Sequence, residues 1–159
     1  QVVGYHGATD DYARRMQVLV DGRSVFMPPI GAVAWENLPL QIDDIERIEV
    51  IRGPAAASHG GNSTQGVINI FTRDAGVVRS FKARVSKGNG GISDASVSIG
   101  RPGDNFDYRI SAGYRSDDGY DVVAMDKGSN NDSHKTRLFN LRANYRLTTI
   151  DNFDVQVGY

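Results

Sequence analysis

The chain has 159 residues, 40% of them apolar, with 18 Lys and Arg against 19 Asp and Glu and a formal net charge of −1. That balance, with no dense Lys/Arg run, excludes an electrostatic case for nucleic acid, and the lack of cysteine excludes a disulfide framework or a thiolate metal site. No run of about 18 apolar residues marks a transmembrane helix, but barrel strands, apolar only at every second residue, stay allowed.

In chain order, residues 1–16, with Gly4, Tyr5, His6, Gly7 and the polar cluster Thr9 to Arg15, read as a loop entering a strand. The strand is Met16 to Val20. Asp21-Gly22 is a tight-turn signal, and Ser24-Val25-Phe26 forms the returning arm of a hairpin. Pro28 and Pro29 stop it. Ile30 to Leu38 is irregular with one helical turn, Pro39 closes it, and Gln41 to Glu46 suits a short helix with Asp43 and Asp44 at its positive end.

Ile45, Ile48, Val50 and Ile51, set among Glu46, Arg47, Glu49 and Arg52, make a β-prone run that stops at Gly53-Pro54. Ala55 to Ser58 is a helix-prone turn ended by Gly60 and Gly61. Gly66 to Thr72 is apolar on both strand faces, which predicts a strand buried on both sides, so that two buried strands are joined by a compact loop. The segments LVDGRSV at 19–25, IERIEVIRGP at 45–54 and GVINI at 66–70 resemble, in order and spacing, the plug domain of TonB-dependent outer-membrane receptors.

After Asp74 strict period-two alternation begins. Phe81, Ala83 and Val85 oppose Ser80, Lys82, Arg84 and Ser86; Ala95, Val97 and Ile99 oppose Ser96, Ser98 and Gly100; Phe106, Tyr108, Ile110, Ala112 and Tyr114 oppose Asp107, Arg109, Ser111, Gly113 and Arg115. A fourth strand places Phe139, Leu141, Ala143, Tyr145 and Leu147 on one face, and a fifth Phe153, Val155, Val157 and Tyr159. The turns at 102–105 and 148–151 are short, whereas Ser116 to Lys135 is a long polar loop, the asymmetry of periplasmic turns and external loops. A soluble sheet with one wet face gives the same alternation.

The fold class expected is therefore mainly β: a mixed plug sheet with short helices, then antiparallel transmembrane-barrel strands of an incomplete barrel. Residues 1–75 are expected to be the C-terminal half of a plug, and 76–159 the first five strands of a barrel of about 22 strands, all part of a longer protein. The resemblance implies import of a scarce nutrient, most of all a ferric siderophore, with haem or cobalamin as other ligands. It implies plug displacement by a TonB-type energy-coupling protein acting through an upstream motif, outer membrane lipid around the barrel, and no enzyme activity or cofactor. It also implies that Arg52, and with it Arg47, locks the plug against barrel-wall glutamates. His59, Gly60, Gly61 and Asn62 are candidate substrate-side apex positions. The isolated segment is expected to self-associate through open strand edges.

His6, His59 and His134 lack ligand-like spacing and read as exposed loop residues. Asp126 to Asp132 is rich in oxygen ligands but lacks EF-hand spacing, and reads as a solvated loop. Asn62-Ser63-Thr64 and Asn131-Asp132-Ser133 match glycosylation acceptors by accident of composition. No nucleophile constellation is present. A soluble β-rich binding or adhesion module is the competing expectation.

Overall fold

The computed structural model describes residues 15–29, 31–77, 79–119 and 133–159. His6, the loop Asp126 to Asp132, Asn131, Asp132 and most of the 116–135 connection lie outside them. The chain divides into two compact units, Gln1–Leu38 with Ile42–Arg73, and Pro39–Gln41 with Asp74–Tyr159.

In the first unit, β1 (Met16–Val20), β2 (Arg23–Ser24), β3 (Ile45–Arg52) and β4 (Gly66–Thr72) form a sheet in the order β2-β1-β4-β3. β1 runs parallel to β4, from Met16↔Gly66 to Val20↔Ile70, and the other pairs are antiparallel. The central pair is apolar because both edges and faces are covered. All five β1 residues are buried, with Val18 at 1% and Val67 at 0% exposure. Asp21 (φ 49°) and Gly22 (φ 78°) turn the hairpin with Leu19 opposite Ser24, the left-handed pair that a two-residue loop requires. Asp21 also accepts bonds from the Thr72 N–H and Oγ1, both at 2.8 Å, tying the turn to the end of β4.

The expectation of two buried strands holds for β4 and fails for β3. β3 is an edge strand paired only with β4, and Ile48, Val50 and Ile51 are 54%, 58% and 42% exposed. Its β-branched residues satisfy strand propensity without marking a core position. The segment drawn as a helix over Gln41 to Glu46 shortens to a 3-10 turn at Ile42–Asp44, because pairing of Ile45 with Thr72 claims the rest for the strand. Trp35–Asn37 is the other 3-10 turn.

In the second unit β5 (Ser80–Lys87), β6 (Ser93–Arg101), β7 (Phe106–Asp117), β8 (His134–Arg146) and β9 (Asn152–Gly158) form an antiparallel meander in sequence order. β7 and β8 run past the expected strand ends, pairing as far as Asp117↔His134, so the connection is shorter than Ser116 to Lys135. Here most of the buried residues are polar, Asp107 at 1%, Arg109 at 2%, Ser111 at 2%, Thr136 at 9% and Asn144 at 7%, with Leu138 at 7% and Ala75 at 0% beside them. The opposite face exposes Phe81, Val85, Val97, Ile99, Phe106, Phe139, Tyr145, Phe153, Val155 and Val157.

Candidate functional site

The loop between β3 and β4 is held by its own backbone. Gly53 N–H donates to Gln65 O and Ala55 N–H to Ser63 O, both at 2.9 Å, while the buried Ser63 hydroxyl bonds Gly60 O. A one-turn helix, α1 (Ala56–His59), fills the loop, and Gly60 at φ 86° ends it. Ser58 Oγ lies 2.8 Å from His59 Nδ1, so the imidazole is positioned by its neighbour. Gly60 and Gly61 are exposed, and His59 and Asn62 half-exposed, on this loop. Gly66 begins β4 because a Cβ there would stand 2.5 Å from Ile51 O, so β3 and β4 close on each other only around glycine.

Arg52 is the last residue of β3, next to this loop and exposed, and among the described residues it has no ion-pair partner. Arg47 lies five residues back, about 17 Å along the strand, and on the other face. The two arginines considered together in the sequence are thus apart. Arg47 Nε donates to Glu49 at 2.8 Å, Nη1 lies 3.3 Å from Glu46, and the guanidinium sits 3.9 Å from the Phe71 ring centroid. The Glu49 hydrogen bond, with both carboxylates' charge, raises the Arg47 pKa against a smaller desolvation effect. A raised pKa stabilises the fold below the unfolded value and is lost only above it. The unfolded value is already strongly alkaline, so Arg47 stays charged at any working pH.

Histidine 134 is the first residue of β8 and half-buried, which corrects its reading as a loop histidine; strand pairing with Asp117 reaches further than the polar composition suggested. Among the described residues no His, Cys, Asp and Glu grouping suits a metal.

On the polar face of the β5–β9 sheet, Asp107 accepts from Gly103 N–H at 2.8 Å and lies 2.9 Å from Arg146 Nη1. Arg142 Nη2 lies 3.0 Å from Asp154 and 3.7 Å from Asp74. Asp74 also accepts from Gly76 N–H at 2.7 Å and from Asn144 at 3.1 Å, and Asn140 donates to Pro39 O at 3.3 Å. Sequence reasoning missed this tether of Asp74, although Asp-Ala-Gly is an Asx-turn signal. A sheet that encloses Asp107 and Arg109 on its charge-paired face and leaves its apolar face bare is built for an apolar surrounding and a polar interior. From Tyr114 to Phe106 the apolar face runs about 27 Å along the strand, about 20 Å at a tilt near 40°, which suits a thin bilayer. Phe106 pairs with Tyr145, and Tyr145 with Phe153, at the turn end, an aromatic rim with ring centroids 6.5 Å apart for the first pair.

Residues 1–67 match the family model of the TonB-dependent receptor plug domain. The vitamin B12 transporter BtuB of Vibrio cholerae is 30% identical over 129 residues, 80% of this chain and 21% of the relative. The ferric enterobactin receptor of Pseudomonas aeruginosa is 40% identical over 67 residues, 37% of this chain and 9% of the relative. The chain thus spans at most about a fifth of the length of these relatives. Among solved structures, the siderophore receptor PirA from Acinetobacter baumannii superimposes with a TM-score of 0.66 at 22% identity, over 91% of this chain and 23% of that one. The pyoverdine outer membrane receptor FpvA of P. aeruginosa gives 0.68 at 18% identity, over 99% of this chain and 23% of that one. Together the comparisons indicate a segment of a TonB-dependent receptor. The fold is that of a receptor plug sheet with barrel strands, and TonB-dependent receptors reside in the bacterial outer membrane. This replaces the soluble binding or adhesion module.

Proposed function

We propose that the intact protein is an energised outer-membrane importer of a scarce nutrient, a ferric siderophore first. Residues 1–75 then belong to the plug and 76–159 to the first five barrel strands, with the β7–β8 connection outside the cell. The observation that carries the reading is the plug-family match over residues 1–67. In this reading His59, Gly60, Gly61 and Asn62 face the ligand from the self-braced β3–β4 loop. Arg52, which has no ion-pair partner among the described residues, is the lock to a wall carboxylate; Arg47 contributes less, being committed to Glu46 and Glu49. A TonB-type periplasmic protein displaces the plug.

A second reading, cobalamin as the ligand, is favoured by the B12 transporter similarity extending over 80% of the chain, where the enterobactin receptor similarity covers 37%. Uptake of labelled ferric siderophores, haem and cobalamin is to be compared in the source bacterium with and without the intact receptor gene. Loss of uptake of one ferric siderophore is expected. Loss of cobalamin uptake instead selects the second reading, and uptake of all three classes independent of the gene overturns both.

A further inference from the structure

We propose that the apolar face of the β5–β9 sheet holds a binding site for a phosphate-bearing glycolipid of the outer leaflet, formed by Lys135 and Arg137 with Tyr114 and Tyr159. The inference rests on the outward placement of the β7–β8 connection proposed above.

The strand register sorts charge by face. Asp94, Asp107, Asp117 and Asp154 are all the acidic residues of β5–β9, and each falls on the polar face. Lys87, Arg101, Lys135 and Arg137 fall on the apolar face, where no carboxylate accompanies them. Lys135 and Arg137 are two apart on one strand, so their side chains leave the same face about 7 Å apart. Tyr114 is directly across from Arg137, and Tyr159 exchanges backbone bonds with Phe139 at 2.8 and 2.9 Å, one step further along that face. The four residues line an open depression of about 530 Å³.

On the polar face Arg115 pairs with Asp94, Arg142 with Asp154 and Arg146 with Asp107. Among the described residues Lys135 and Arg137 have no such partner. Two adjacent cations on a lipid-facing surface repel each other and are costly unless a counter-anion reaches both. A lipid phosphate supplies that anion at headgroup depth. Arginine grips it with a planar fork and lysine as a point charge, while the tyrosines offer O–H donors at the interface. Arg101, beside Tyr108 at the turn end of the same face, lies at the opposite membrane surface and does not share the site.

The test is native mass spectrometry of the intact receptor in mild detergent, titrated with diphosphoryl lipid A, the same lipid dephosphorylated, and phosphatidylglycerol. Diphosphoryl lipid A is expected to bind at least about 10-fold more tightly than the other two. A Lys135→Gln/Arg137→Gln double variant is expected to lose that preference, and Arg101→Gln to keep it. Equal binding of the phosphorylated and dephosphorylated lipid by the unaltered receptor overturns the proposal without any variant. Preference retained in the double variant, lost equally in Arg101→Gln, or shared by phosphatidylglycerol overturns it as well. Whole-cell labelling of a Ser133→Cys variant with an impermeant maleimide keeps the underlying reading separable: labelling supports an external loop, and its absence overturns the orientation on which the site depends.

Discussion

The plug sheet and the barrel sheet are built from similar residues and bury opposite halves of them. In the first, Val18, Val67 and Ile70 are enclosed while Glu46 and Arg47 are in the open. In the second, Asp107, Arg109 and Ser111 are enclosed while Phe81, Val85 and Val155 are bare. Burial is therefore set by the medium each sheet meets. The plug strands exclude water around an apolar centre, whereas the barrel strands turn their apolar face to lipid and must satisfy buried charge by pairing.

The comparison breaks most sharply at Val67. A Val67→Asp change in the intact receptor places a carboxylate in a fully enclosed strand, with an expected loss of about 3–5 kcal/mol in plug stability. The barrel survives it. Limited proteolysis should cut the plug while heat-modifiable mobility persists; loss of both together would mean that the two sheets do not fold separately.

Ile110→Arg, at mid-height on the apolar face of β7, is expected to cost about 2–4 kcal/mol in folding titrations into lipid vesicles. On a water-facing sheet it would cost under about 0.5 kcal/mol, so the smaller figure would refute lipid contact for this face.

Asp21→Ala sharpens the comparison at the smallest scale. It removes both acceptors of Thr72 and leaves alanine at a positive φ, an expected loss of about 2 kcal/mol. Hydrogen exchange should report faster opening at the Thr72 amide and no change in β7 or β8. Unchanged exchange at Thr72 would show that the clamp contributes nothing.

Part of the candidate site was legible in the sequence. Gly53-Pro54 and Gly60-Gly61 bracket the β3–β4 loop because proline and glycine limit the backbone locally. That Arg47 and Arg52 leave opposite faces, and that Arg47 is engaged by Glu46 and Glu49, followed from strand pairing that begins after the shift between Ile45 and Arg47. The alternation across 106–114 and 139–147 likewise specified two unlike faces without saying which one is enclosed.

By itself the sequence determined where the strands and turns fall, because period-two patterning, Asp21-Gly22 and Pro102-Gly103 act on the backbone over a few residues. Only the tertiary structure decided that β1 pairs in parallel with a strand about 50 residues on, that β3 is an exposed edge, and that Asp74 is tied to Arg142 and Asn144. Those outcomes depend on contacts between residues far apart in the chain, whose free energy exists only once the sheets are assembled.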